Sequence, residues 1–449
     1  MQTTHTFQGV ITALLDKGAR LLEPFGVAED SSLINLCEIL LSGRGEASGI
    51  ALGSSILALY QAQSDEQKLA FFHELAVQFD PALERVQSAV LRYTAEQSSE
   101  ALVELNAAVE PPRQELLRRI NQSPGGTAAL VSMRADLLPL LKNHPTLKRI
   151  DNDFAHLLGS WFNRGFLQLQ PITWSSPADI LEKIIDYEAV HEIPDWTELR
   201  RRLQPSDRRC YAFFHPAMPD EPLVFVEVAL TTEAAGNITK LLSDERDVIA
   251  AETATTAVFY SISNCQVGLR GVSFGNLLIK QVVADLLRDL PNLKTFVTLS
   301  PAPGFAAWLH QQEDKDPEAK ELLAISNTLN DDSDSALQKR HILLSNKLAA
   351  EYYLTAKRSD NSPLDPVARF HLGNGASLDR INAQANLSTA GISSSVGVMV
   401  NYRYDLSRIE ENHEAYAAKR AVTASRAVRS LLSSSNNNNS KSKTTTEKS

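Results

Sequence analysis

The spacing of apolar residues changes once along the chain, near residue 170, and that change constrains the fold more than any other feature. Before it, apolar residues recur at intervals of three and four, which places them on one helical face. Ser64 and Gln67 have the spacing of a capping box, and Leu69, Phe72, Ala76 and Phe79 follow in register. The pattern continues through Leu83, Val86, Val90 and Leu91, with Pro81 expected to break or restart the helix. Leu116, Leu117 and Ile120, then Leu130, Leu137, Leu138 and Leu140, predict further helices separated by a turn at Gly125-Gly126. Residues from about 5 to 165 therefore read as helix after helix, a bundle suited to packing or oligomer assembly.

Beyond residue 170 valine-rich runs take over. Pro222-Leu-Val-Phe-Val-Glu-Val-Ala-Leu-Thr231 and Ala257-Val-Phe-Tyr-Ser-Ile-Ser263 predict strands. Asn276 to Leu290 predicts a helix, with Leu278, Val282 and Leu286 in register, and Leu293 to Leu299 predicts a return to strand. A strand–loop–helix–strand unit signals a mixed α/β domain. The expected fold class is α+β. Residues 1–168 are expected to form a helical, oligomerisation-type domain, 169–432 a mixed α/β domain, and 433–449 a polar Ser/Asn/Lys/Thr tail that cannot bury a core.

Composition removes several function classes. The formal net charge of −10 argues against nucleic acid as the main partner. The three cysteines, Cys37, Cys210 and Cys265, form neither a CxxC pair nor a disulfide framework, so reduced thiols are expected and a thiolate zinc site is not. No apolar run of 18 residues predicts a membrane span, and no secretory signal pattern opens the chain.

The loop Asn264-Cys-Gln-Val-Gly-Leu-Arg-Gly-Val-Ser-Phe-Gly-Asn276 joins a strand to a helix and carries glycines at 268, 271 and 275. Such a loop can turn backbone N–H groups toward an anion at a helix N-terminus. It lacks the Gly-Lys-Ser/Thr of a P-loop. Read from Arg270, it resembles the pyrophosphate loop of the GNAT acyl-CoA superfamily, with Ser273 in place of that pattern's first glycine. A glycine-bearing turn without a ligand has the same local sequence. Downstream, Ser300 is followed by Pro301-Ala302-Pro303, and two prolines are expected to end the sheet ladder and fix the serine at a strand end. His371 lies between apolar residues and a Gly-Asn-Gly turn. Its imidazole suits proton transfer, although a buried structural histidine has the same surroundings.

Several motifs in one order sharpen this reading. Phe259-Tyr-Ser-Ile-Ser263, Gly268-Leu-Arg-Gly271, Leu299-Ser-Pro-Ala-Pro-Gly-Phe305, Phe370-His-Leu-Gly-Asn-Gly-Ala376 and Met399-Val-Asn-Tyr-Arg-Tyr404 all resemble the malonyl-CoA decarboxylase family. Arg209-Cys-Tyr211, Glu221-Pro-Leu-Val224, Val228-Ala-Leu-Thr231, Met133-Arg-Ala-Asp-Leu-Leu138 and Trp161-Phe-Asn-Arg-Gly-Phe166 match as well, so the resemblance covers roughly residues 60 to 430. It implies a helical assembly domain and a GNAT-like domain that binds an acyl-CoA. It implies Ser300 and His371 as catalytic residues, and Arg270, Gly271, Val272, Ser273, Phe274, Gly275, Asn276 and Tyr404 as further substrate-binding positions. Asn374 is a further candidate for orienting the pair. Animal members of the family carry an acidic residue where this chain has Ser273, which puts a carboxylate role there in doubt. The chain ends in Glu447-Lys448-Ser449 rather than the peroxisomal signal of many organellar members, so a cytoplasmic, bacterial-type enzyme is expected.

The implied reaction converts malonyl-CoA to acetyl-CoA and carbon dioxide. It passes through a thioester enolate that a histidine protonates. No metal or organic cofactor is expected, because the thioester is itself the electron sink; a homo-oligomer is. The alternatives are a GNAT acyltransferase that consumes an acceptor amine, a serine hydrolase lacking the Gly-x-Ser-x-Gly elbow, and a helical scaffold without catalysis. Selectivity between malonyl and methylmalonyl groups is not legible.

Overall fold

The computed structural model describes residues 32–43, 45–272, 278–329 and 334–432. The start of the expected helical region and the 433–449 tail lie outside the described residues. The chain divides into two compact units. The first holds Met1–Gln168 together with Phe214–Glu221 and Gln266–Phe274, and the second holds the remainder.

The first unit is helical: α1 (Leu33–Leu41), α2 (Glu46–Gln61), α3 (Asp65–Gln78), α4 (Leu83–Glu96), α5 (Ser99–Val109), α6 (Pro112–Asn121), α7 (Gly126–Leu140) and α8 (Lys148–Trp161). The expected capping box opens α3: the Gln67 amide donates to Ser64 Oγ and the Ser64 amide to Gln67 Oε1. Its buried face adds Phe71 and Leu75 to Phe72, Ala76 and Phe79. The chain breaks around Pro81 and restarts as α4. Leu116, Leu117, Ile120, Leu130 and Leu137 are buried, as their periodicity requires. Gly126 is needed between α6 and α7, because a Cβ there would lie 2.4 Å from the Ile120 carbonyl oxygen.

The helical stripe at Leu83, Val90 and Leu91 has a different outcome. These residues are exposed, Leu91 by 72%. Helices α4 and α5 pack on each other and bury only Ala89, Ala101 and Ala108. Small residues bring the two backbones together and leave the larger apolar side chains outside. Leu102, Val103 and Val109 are exposed beside them.

The second unit is built on an eight-stranded sheet in the order β1-β2-β3-β4-β5-β8-β6, with β7 paired to β8. Its strands are β1 (Gln168–Ile172), β2 (Arg208–Phe214), β3 (Val224–Thr231), β4 (Thr256–Asn264), β5 (Thr295–Thr298), β6 (Ser300–Pro301), β7 (Ser377–Asn382) and β8 (Met399–Arg403). The fold is α+β, as expected. Nearly every residue of β3 and β4 is buried, so both faces of these strands are covered, and the polar Glu227, Ser261 and Ser263 are buried with the apolar ones. The expected helix after β4 is α12 (Leu278–Asp289); α9 (Ala178–Tyr187), α10 (Trp196–Leu203) and α11 (Ile238–Leu242) precede it in the chain.

Two irregularities shape this sheet. Between β3 and β4 the register shifts: Glu227 pairs with Ser261 but Val228 with Phe259, so Tyr260 is the extra residue of a bulge. Strands β4 and β5 are parallel and paired only from Thr256/Thr295 to Phe259/Thr298. Beyond that point β4 runs on to Asn264, while the other chain pairs with β8 through β6. One expectation is corrected here. Ser300 and Pro301 do continue the ladder, opposite Val400 and Met399. Their strand lies at the end of the sheet order, where a proline's missing N–H costs no neighbour a partner.

Candidate active site

The gap left where β4 and β5 part is a cavity of about 250 Å³. Phe259, Tyr260, Ile262 and Asn264 line it from β4, and Ser300 and Pro301 from β6. Pro366, Val367, Phe370 and His371 close another side from α16 (Pro366–Gly373), which follows α13 (Phe305–Gln312), α14 (Pro317–Ser326) and α15 (Ser335–Thr355). The ends of strands at a parting of the sheet are where α/β folds place ligands. No lysine, arginine, aspartate or glutamate is among these lining residues.

His371 is carried on a short helix whose ends are both tied down. Asp365 is its N-cap: Oδ1 accepts the Ala368 amide at 2.8 Å and Oδ2 the Tyr352 hydroxyl at 3.2 Å. Pro366 occupies the first helical position, where its missing N–H is harmless. At the other end, Asn374 Nδ2 donates to the Phe370 carbonyl at 2.7 Å. Gly375 then takes φ +84°, and a Cβ there would lie 2.2 Å from the Ile409 carbonyl oxygen. Asn374, proposed from sequence as an orienting residue, thus acts on the helix end and not on the imidazole.

The imidazole itself is buried and fixed on three sides. Nε2 lies 3.1 Å from Ser300 Oγ and Nδ1 lies 2.8 Å from the Tyr404 hydroxyl. The Tyr402 ring stacks on it, with centroids 4.6 Å apart and planes 26° from parallel. The Ser300 hydroxyl donates to Thr298 Oγ1 at 2.9 Å. Residues far apart in sequence therefore form one chain, Tyr404–His371–Ser300–Thr298. Burial pushes the His371 pKa down to about 3, because an imidazolium would lose its hydration, so the ring is neutral near pH 7. Burial likewise holds Tyr404 well above the ordinary tyrosine range, which keeps its hydroxyl protonated.

The structure thus brings Ser300, His371 and Tyr404 together. Arg270, Gly271 and Val272 belong to the first unit, where Arg270 is exposed and Val272 buried. There the loop is held by α7: Arg134 Nη1 donates to the carbonyls of Gly268 and Arg270 at 2.7 and 2.9 Å, and its Nε pairs with Asp151 at 2.8 Å. Gly268 is required by this packing, since a Cβ there would sit 1.8 Å from the Val131 carbonyl oxygen. Ser273, Phe274, Gly275 and Asn276 lie outside the described residues. Among the described residues no cluster of three or more His, Cys, Asp or Glu has the arrangement of a metal site.

Sequence reasoning missed Thr298, Asp365 and Tyr402. Asp365-Pro366 carried a usable signal, an N-cap residue followed by proline at the first helical position. Thr298 carried none, because a threonine within a strand is ordinary.

The chain matches two family models, "Malonyl-CoA decarboxylase C-terminal domain" over residues 165–443 and "Malonyl-CoA decarboxylase N-terminal domain" over residues 79–162. It is 38% identical over 352 residues to the mitochondrial malonyl-CoA decarboxylase of Anser anser anser, covering 72% of this chain and 70% of that one. With the mouse mitochondrial enzyme it shares 36% identity over 386 residues, 77% of each chain. Among solved structures, it resembles malonyl-CoA decarboxylase from Rhodopseudomonas palustris with a TM-score of 0.85 and 55% identity, over 89% of this chain and 98% of that one. The enzyme from Agrobacterium vitis gives 0.85 and 51%, over 90% and 100%.

Proposed function

This chain belongs to the malonyl-CoA decarboxylase family, and we propose that it turns malonyl-CoA into acetyl-CoA and carbon dioxide at the cavity between β4 and β6. The observation that carries the reading is the His371–Ser300 pair on a wall of that cavity, with Tyr404 bonded to the far side of the imidazole. The reaction breaks the bond between the α-carbon and the carboxylate carbon. The electron pair moves into the thioester as an enolate, carbon dioxide leaves, and the α-carbon takes up one proton.

Each part has a residue suited to it. The lining is largely apolar, with Phe259, Ile262, Pro301, Val367 and Phe370. A carboxylate held there loses hydration that carbon dioxide does not need, which favours its departure. In the empty cavity the Ser300 hydroxyl donates to Thr298; with substrate bound it turns to hydrogen-bond the carboxylate or the thioester carbonyl. His371, neutral when the cavity is empty, takes up a proton as the anionic substrate approaches, since a nearby negative charge favours the imidazolium. It then donates that proton to the α-carbon; a positioned acid of this kind contributes roughly 10²–10⁴-fold. Tyr404 orients the ring through Nδ1. The backbone of Arg270–Asn276 is assigned to the CoA phosphates by resemblance.

The domain roles follow the same reading: residues 1–168 assemble the protein, 169–432 bind and decarboxylate the acyl-CoA, and 433–449 add no chemistry. The exposed apolar side chains of α4 and α5 support self-association of the first unit into a homo-oligomer. Among the described residues no helix is long and apolar enough to cross a membrane.

The test is to mix the protein with malonyl-CoA alone and follow products by mass spectrometry. Acetyl-CoA and carbon dioxide in equal amounts, with no acceptor present, support the reading. Turnover only with an added amine, releasing free CoA, would instead indicate an acyltransferase.

A further inference from the structure

We propose that Thr298 is a positioning residue that sets the direction of the Ser300 hydroxyl and, through it, the tautomer of His371. The inference deepens the proposed function and rests on Ser300 and His371 being the reacting pair.

Thr298 ends β5 and is fully buried. Its Oγ1 accepts two hydrogen bonds, from the Tyr402 backbone amide at 3.1 Å and from the Ser300 hydroxyl at 2.9 Å. A hydroxyl oxygen has two lone pairs, so both acceptor positions are filled. The Thr298 carbonyl is held too, by Asn401 Nδ2 at 2.6 Å. Asn401 is itself buried, and its Oδ1 accepts from Arg380 Nε at 3.0 Å and Asn382 Nδ2 at 2.9 Å. The strand end is thus fixed through backbone and side chain before Ser300 begins.

Ser300 spends its only proton on Thr298, so its oxygen faces His371 Nε2 as an acceptor at 3.1 Å. Nε2 must then carry the hydrogen. A neutral imidazole has one N–H, so Nδ1 offers a lone pair and accepts from the Tyr404 hydroxyl at 2.8 Å. The protonated state of the buried Tyr404 fits this direction. From Tyr404 to Ser300 each hydrogen then has one acceptor, and the Nε2–H bond lies on the Ser300 side of the ring.

Valine at 298 would keep the shape and remove the acceptor. The Ser300 proton would turn to Nε2, the other partner the structure gives it, and the imidazole hydrogen would move to Nδ1, donating to the Tyr404 oxygen. The substrate-free ring would lose its donor on the Ser300 side, so the proton taken up on binding would have to enter at Nε2 instead of Nδ1, while the residues that shape the cavity stayed in place. Turnover of malonyl-CoA should therefore fall about tenfold with KM nearly unchanged, the scale of one lost hydrogen bond. Thr298→Ser, which retains the hydroxyl, should recover most of the loss.

The deciding experiment is long-range ¹H–¹⁵N spectroscopy of ¹⁵N-histidine-labelled protein, with the His371 signals identified by their absence in His371→Asn. Protonated Nε2 in the unsubstituted protein and in Thr298→Ser, and protonated Nδ1 in Thr298→Val, support the proposal. Protonated Nδ1 in the unsubstituted protein overturns it, as does protonated Nε2 in a folded Thr298→Val. Should Thr298→Val not fold, the unsubstituted spectrum decides alone. An unsubstituted protein that forms no acetyl-CoA refutes the proposed function and leaves the tautomer result standing as the test of Thr298.

Discussion

Replacing Tyr404 with phenylalanine isolates one contact of the site. The ring is buried, and phenylalanine fills the same space, so no cavity is created. What disappears is the 2.8 Å hydrogen bond to His371 Nδ1. That nitrogen sits on a ring with 3% exposure, out of reach of bulk water, and would be left unsatisfied. An orphaned buried polar atom costs about 1–3 kcal/mol. The ring can lessen the cost only by turning, which moves Nε2 away from Ser300. If the cost falls on the reacting geometry, kcat drops about 5- to 150-fold, at about 1.4 kcal/mol per factor of ten. KM should change little, because Tyr404 is not among the residues lining the cavity. The assay is initial-rate acetyl-CoA formation from malonyl-CoA across a substrate series, with urea unfolding beside it to confirm the fold. A folded Tyr404→Phe with kcat within twofold of the parent would refute the claim that Tyr404 holds His371 in its working orientation.

Three other outcomes follow from the packing and the charges. Alanine at Gly268 should destabilise the first unit by about 1–3 kcal/mol in urea unfolding, because its Cβ would meet the Val131 carbonyl oxygen; unchanged stability would contradict the close approach. Leu91→Glu with Val103→Glu should lower the molar mass by light scattering if the exposed α4–α5 face joins protomers, and an unchanged mass would contradict that. The pKa of His371 is depressed from its ordinary 6.5 to about 3, so below pH 6.5 the unfolded chain takes up a proton that the folded state refuses. Its contribution to stability is complete above pH 6.5 and falls by about 1.4 kcal/mol per pH unit toward pH 3. His371→Asn should flatten that loss in urea titrations between pH 6 and 4, and identical slopes would contradict the burial argument.

Much of this architecture was legible in local sequence. The capping box at Ser64, the turn at Gly125-Gly126 and the valine runs of β3 and β4 all carry short-range signals, and the elements form within two residues of the expected limits. The exposed face of α4 was not legible, because periodicity reports that a helix has an apolar stripe, not what covers it. Ser300–Pro301 was read as the end of the ladder; that the pair forms the last strand in the sheet depends on β8, about a hundred residues later. The site divides in the same way. Ser300, His371 and Tyr404 came from ordered motifs, while their hydrogen-bonded chain depends on β6, α16 and β8 meeting in space. Thr298 entered only through distances, since its work is done by an oxygen that any strand threonine possesses.

The central claim is that His371, set against Ser300, supplies the proton that completes decarboxylation. It is tested most directly by measuring kcat for acetyl-CoA formation from malonyl-CoA in His371→Asn, with binding of the acyl-CoA followed separately by calorimetry. The account predicts retained binding and a kcat lower by roughly 10²–10⁴-fold. Near-normal turnover in a variant that still binds malonyl-CoA would contradict it.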